Sequence, residues 1–282
     1  MMDIVLHSYT FRSYSVERAF RKAAEYGYDG IELSVVHYKT EADIKKAHEL
    51  SKKYHVPIVA LDHGTDLLNK DNREASVEKM KWAIDMAAKF NVPIINGTIA
   101  NAVGNDWTKY GENGSVLVSE EQYQEMAKRY QEIAEYAEAK KVMIVFEIHM
   151  NTPHDTGAST LKLLEAIGSD WVKACPDPGN VYATPTSEGP LACVQMVKDH
   201  IGFFHFKNVR KSALGNGYDY SYLLENGAID YYKIICELIK NGYDGPVCIE
   251  YCGEGDPAFA ADKDIKYLRN IIKDALLSDC LL

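Results

Sequence analysis

A chain of 282 residues, 46% hydrophobic and 26% charged, can bury a large core, either as two modest domains or as one domain of α/β-barrel size. Its net charge of −10, from 31 Lys+Arg against 41 Asp+Glu, is the wrong sign for a binder of nucleic-acid backbones. No window approaches about eighteen uninterrupted apolar residues, so no membrane span is expected.

Short apolar, β-branched runs recur along the chain and predict eight strands: 4–9, 30–34, 56–62, 92–96, 142–148, 171–177, 201–206 and 246–251. Between them lie segments with helical spacing, at 15–27, 76–90 and 119–141, with a final helix over roughly 257–278. The second and third open on Ser followed by Glu in the first turn, an N-terminal signal. Buried strands alternating with helices call for a parallel sheet covered outside, and eight of them in this length favour a (β/α)8 TIM barrel, one domain over 1–282. No G-x-G-x-x-G follows the first strand, which weighs against a dinucleotide-binding sheet. The stretches EYGYDGIEL (25–33) and KNGYDGPVCIEY (240–251) echo each other, each with a Gly suited to a left-handed helix cap. The longest irregular piece, 97–118, is rich in Gly and Asn, and at that length a functional loop is expected. Its aromatics, Trp107 and Tyr110, offer a contact for a homo-oligomer.

The N-terminus MMDIVLHSYT lacks a basic segment followed by an apolar one, so no signal peptide is expected. Cys175, Cys193, Cys236, Cys248, Cys252 and Cys280 have no zinc-ribbon spacing, and reduced thiols in the cytoplasm are the expectation.

Barrel enzymes place their chemistry at the C-terminal ends of the strands. Strand 5 ends in Glu147 and His149, strand 6 in Asp177, strand 7 carries His205, and strand 8 ends in Glu250. Singly, a strand-end Glu is more often a salt-bridge residue, and a His after two Phe more often a core residue. Four consecutive strands delivering ligand-type residues to one rim reverse those odds. Three carboxylates and an imidazole suit Mn²⁺, and also Mg²⁺, Co²⁺ or Fe²⁺; Zn²⁺ fits too, with no thiolate to favour it. His7, His63, Lys207 and Asn180 are expected to meet the substrate, with Glu32 behind them.

The set FEIHMN, PDPGN, HFKN and IEYCGEG, in this order, resembles the xylose isomerase-like TIM barrel superfamily, and the first thirty-odd residues are similar to its first βαβ unit. The resemblance implies that Glu147, Asp177, His205 and Glu250 bind a divalent metal, with the two glutamates also exchanging protons with a keto-sugar or polyol. A metal holding a ketone oxygen and the adjacent hydroxyl acidifies the C–H between them by stabilising the enediolate, and a carboxylate in reach takes the proton. Bases on two faces give epimerisation or isomerisation; one base and a departing β group give elimination. The segment EIHMNTPHDT resembles 3-dehydroshikimate dehydratases, and its Glu-x-His pair also resembles catalytic subunits of 3-oxo-glycoside C-deglycosidases. The second resemblance implies an acid/base role for His149, as a histidine beside the metal, and the need for a small partner subunit. A non-catalytic sugar-binding barrel, or a partner subunit, would have little reason to keep both Glu147 and Glu250. The DNA-repair endonucleases of the same fold need further His and Asp ligands and a basic groove, against the acidic charge here.

Overall fold

The structure, a computed structural model, describes residues 2–104, 109–213, 215 and 217–277. Trp107 and Cys280, on which part of the loop and thiol expectations fell, lie outside them.

All eight expected strands form, most of them shorter by one to three residues at either end: β1 Ile4–His7, β2 Gly30–Leu33, β3 Ile58–Asp62, β4 Ile94–Gly97, β5 Met143–Glu147, β6 Val172–Cys175, β7 Phe204–Phe206 and, after a small antiparallel pair β8 Arg210–Lys211 and β9 Tyr218–Asp219, β10 Val247–Ile249. The eight pair in parallel in the order β6-β5-β4-β3-β2-β1-β10-β7. β6 and β7 meet through a single bridge, Ala174 to Ile201. There the Gly202 N–H donates to the Ala174 carbonyl at 2.9 Å and the His205 N–H to the Pro176 carbonyl at 3.0 Å. The chain forms a nearly closed TIM barrel, as expected.

Helices α1 Val16–Tyr26, α2 Glu41–Tyr54, α3 Arg73–Phe90, α4 Glu120–Lys140, α5 Gly157–Ile167, α6 Pro178–Tyr182, α7 Pro190–Val197, α8 Tyr231–Lys240 and α9 Pro257–Leu277 connect the strands. Ser119 caps α4 in a reciprocal pair with Gln122, as its position predicts. Ser76 does not cap α3: the helix starts three residues earlier, after Asn72, and the Ser76 hydroxyl instead accepts from the Asp66 N–H at 3.1 Å. The echoed glycines, Gly27 and Gly242, are left-handed at φ 77° and 70°, and their strands β2 and β10 flank β1 on either side. The expectation of reduced thiols holds for Cys175, Cys193, Cys248 and Cys252, which are free, and not for Cys236, which is disulfide-bonded.

Two apolar bodies hold the fold. A large one joins the outer faces of the strands to the helices, from Leu6 and Ile31 to Ile265 and Leu268. A small one plugs the barrel: Val5, Ala60, Ile94, Val145, Cys175, Phe203 and Cys248. The plug sets the floor on which the polar residues stand.

Candidate metal centre and cavity

Side chains two apart on a strand share a face. Two positions beyond the plug residues, on their own strands or just past the strand ends, come His7, Asp62, Asn96, Glu147, Asp177, His205 and Glu250. Glu32 holds the corresponding place on β2. A polar ring therefore lies directly above an apolar plug.

One donor atom from each of Glu147, Asp177, His205 and Glu250 lies within 4.8 Å of the other three. Local chemistry aims each one. Asp177 caps α6, its Oδ1 accepting from the N–H groups of Gly179 (2.9 Å) and Asn180 (3.2 Å), which leaves Oδ2 for the cluster. Asn180 Nδ2 donates to Glu147 Oε1 at 2.9 Å. His205 Nε2 pairs with Glu32 Oε2 at 2.8 Å, while its Nδ1 faces Glu147 Oε1 at 3.7 Å and Asp177 Oδ2 at 3.9 Å without a hydrogen-bond partner. A fully buried ring nitrogen without a hydrogen-bond partner is a polar atom that a bound ion would satisfy. A carboxylate behind the ring is how metal-ligating histidines are oriented. Three hard oxygens and one imidazole fit a divalent cation, and these four residues could hold it.

The surrounding charges are tightly opposed. Burial pushes the Glu32 carboxyl up, but the charges of His7 and His205 and hydrogen bonds from His205 and Asn96 bring it to about 2. Burial lowers His7, yet Glu32 and Glu250 outweigh it and raise the ring to about 9; its Nδ1 sits 3.0 Å from Glu250 Oε1. Asp177 and Asp62 are each raised to about 6, chiefly by burial, against the pull of Lys207 on the first and of His7 on the second. Lys207 places its ammonium inside the cluster, 2.9 Å from Asp177 Oδ2, 3.7 Å from Glu147 Oε1 and hydrogen-bonded to Glu250 Oε2.

Glu147 and Glu250 of the cluster line a cavity of about 610 Å³, bounded also by His7, Tyr9, Asp62, Thr98, His149, Asn180, Lys207, Tyr220 and Cys252. The pattern that describes the xylose isomerase-like TIM barrel family matches residues 20–271. The chain belongs to that family. Among curated relatives, 3-dehydroshikimate dehydratase of Bacillus anthracis is 26% identical over 193 residues, 66% of this chain and 64% of that one. The chain thus spans a little under two thirds of that relative's length. Inosose dehydratase of Clostridium beijerinckii is 25% identical over 273 residues, 90% of this chain and 88% of that one. A solved L-ribulose 3-epimerase superposes with a TM-score of 0.79 at 18% identity, covering 98% of this chain and 96% of that one, a likeness of fold.

In this xylose isomerase-like barrel, eight of the nine expected site residues face the cluster or the cavity. His63 does not. Its ring lies in the aromatic packing of Tyr38 and Trp82, with Nδ1 3.2 Å from the Tyr38 hydroxyl. It is Asp62, one residue earlier, that keeps the inward parity of β3. His149 lies past the end of β5, where a turn has replaced the alternation; its Nδ1 lies 3.0 Å from the Met150 carbonyl while the ring borders the cavity. Asn151, further along the same turn, is buried in a left-handed conformation at φ 63° with its carbonyl accepting from the Val103 N–H. Sequence reasoning missed Asp62, Asn96, Tyr220 and Cys252. The first two were within reach, since each stands two residues beyond an apolar inward residue.

Proposed function

We propose that the protein is a divalent-metal-dependent enzyme, manganese being the ion best suited, that removes the proton beside the carbonyl of a keto-sugar or related polyol and completes an epimerisation or isomerisation. The observation that carries this reading is the four-donor cluster, with the bare Nδ1 of His205 pointing into it, opening on a cavity of monosaccharide size. The ion, when bound by Glu147, Asp177, His205 and Glu250, supplies the electrophile that acidifies the C–H next to the carbonyl.

The chain's own residues do the rest. Burial raises the Glu147 carboxyl, but the charges of His205 and Lys207 outweigh it and hold the group below the usual range, as the carboxylate a base must be. Glu250 is held ionised still more firmly, against burial, by Lys207 and His7. With a carboxylate from β5 and another from the end of β10, a proton can leave to one and return from the other. His7, Asn180 and Lys207 border the cavity and are the groups we assign to substrate hydroxyls. A non-catalytic sugar-binding barrel would not need both glutamates in one cluster. The reaction calls for neither a nucleic acid nor a membrane, and no helix among the described residues is long and apolar enough to cross one.

A second reading, elimination, is favoured by His149. It borders the cavity two residues beyond Glu147, where it can protonate a departing β-hydroxyl after Glu147 has taken the α-proton. The dehydratase names of the curated relatives are in line with this. The test is incubation of the manganese-loaded protein in D₂O with keto-sugars, ketocyclitols, 3-oxo-glycosides and dehydroshikimate, followed by NMR. Deuterium next to the carbonyl with an epimerised or isomerised product supports the first reading, and loss of water or aglycone supports the second. No exchange with any of them, together with no bound metal by elemental analysis, overturns both.

A further inference from the structure

The residue that neither reading explains fully is Lys207. A substrate-binding lysine is expected to reach into open cavity, yet this side chain is 5% exposed and its ammonium is shared among Asp177, Glu147 and Glu250. These are three of the four residues that would hold the metal. The backbone around it is fixed: the Tyr231 hydroxyl donates to the Lys207 carbonyl at 2.5 Å and accepts from its N–H at 3.1 Å. Asn208 is tied next to it, donating to the Leu224 carbonyl at 2.7 Å. Only the four-carbon stem is free to swing, and the cavity bordered by Tyr220 and Cys252 lies beside it.

We propose that Lys207 is a built-in competitor for the metal: its ammonium neutralises the carboxylate cluster in the metal-free protein and is driven out into the cavity when the ion binds. This rests on the metal-site reading above. The physical ground is charge. Three buried carboxylates are costly to keep ionised, and the His7 ring beside Glu250 offsets only part of their charge, so the cluster draws in a further cation. A divalent ion on the same oxygens removes that need and repels the ammonium at close range. The displaced group is then the single Lys or Arg side chain bordering the cavity among the described residues, placed to meet a substrate oxygen only after metal has entered. Metal first, substrate second follows from the geometry of one side chain.

The experiment compares wild type with Lys207→Met and Lys207→Gln by titrating Mn²⁺ calorimetrically and by mapping lysine acetylation by mass spectrometry with and without Mn²⁺. The expected result is Mn²⁺ binding tighter by about tenfold in both neutral variants, the size of an ordinary coupling between two sites. Acetylation of Lys207 in wild type should rise several-fold on adding Mn²⁺. Unchanged or weaker binding in a variant that is folded by circular dichroism overturns the proposal, as does metal-independent acetylation of Lys207. If wild type binds no Mn²⁺ at all, the metal-site reading falls and this one with it. If all three proteins bind Mn²⁺ equally, only the competitor role is lost.

Discussion

His205 shows how a single residue can serve two neighbours. One ring nitrogen is held by Glu32 on β2, and the other is left bare toward Glu147 and Asp177. Glu32→Gln keeps the shape and removes the charge that orients the ring, so Mn²⁺ affinity should fall about 10–100-fold by calorimetry while the protein stays folded. Glu147→Gln should slow α-proton exchange into D₂O by about two to four orders of magnitude, the ordinary worth of a positioned base. A variant with full exchange would remove Glu147 from that role. His149→Ala distinguishes the two readings: exchange next to the carbonyl persists, and under elimination only the β-group departure is lost. Much of this was legible from residue order, because a strand projects every second side chain the same way and ligand-type residues at four successive strand ends are hard to obtain by chance. His63 is the more chemically suggestive of two neighbours in the sequence, while parity, which chemistry does not override, gives the inward place to Asp62. Lys207 was anticipated as a substrate contact, but nothing in HFKN reveals that its ammonium sits among carboxylates supplied by three other strands.

At the level of elements, the strand ends are held in place by close backbone approach. A Cβ on Gly97, the last residue of β4, would lie 2.4 Å from the His63 carbonyl oxygen and 2.6 Å from its carbon. Gly97→Ala must therefore push β3 and β4 apart under Thr98 and Asp62, and a loss of about 2 kcal/mol or more is expected in urea unfolding. On the far side of the barrel, Asp264 of α9 is 2% exposed and accepts from the Leu224 N–H at 2.8 Å. Burial raises this carboxyl from 3.8 to about 7, with Glu225 adding to it and the Leu224 bond opposing. The folded protein therefore holds this proton more tightly than the unfolded chain. Its contribution to stability is fully present below about pH 4 and is lost as pH rises toward 7. Asp264→Asn should raise the Tm at pH 8, by an amount corresponding to about 1–3 kcal/mol, and leave it nearly unchanged at pH 4. The number and order of strands were readable from apolar runs, whereas the true start of α3 was not. Asn72 and Ser76 are equal as cap signals, and the added turn 73–76 is held by distant partners, Arg73 donating to the Leu67 carbonyl and to Glu125 and Ser76 accepting from the Asp66 N–H.

Across the whole molecule, hydrogen bonding between strands is unevenly distributed. β4 and β5 share a four-residue ladder, while β6 and β7 touch at one bridge. Amide exchange in the metal-free protein should accordingly be faster at Gly202 and His205 than at Ile95 and Val145, and mass-resolved hydrogen exchange can measure it. Closure of the ring was predictable from eight strands, but the position of its weak joint was not, since it depends on the register and length of β7. That joint has Asp177 just beyond the end of β6 on one side and His205 in β7 on the other, so an ion taken by both would rivet the cylinder where it is slit. Adding Mn²⁺ should slow exchange at Gly202 more than at Ile95. The barrel's least secure seam and its chemistry then share one fastener, and a cell short of the metal would hold a protein that is at once idle and easier to prise open.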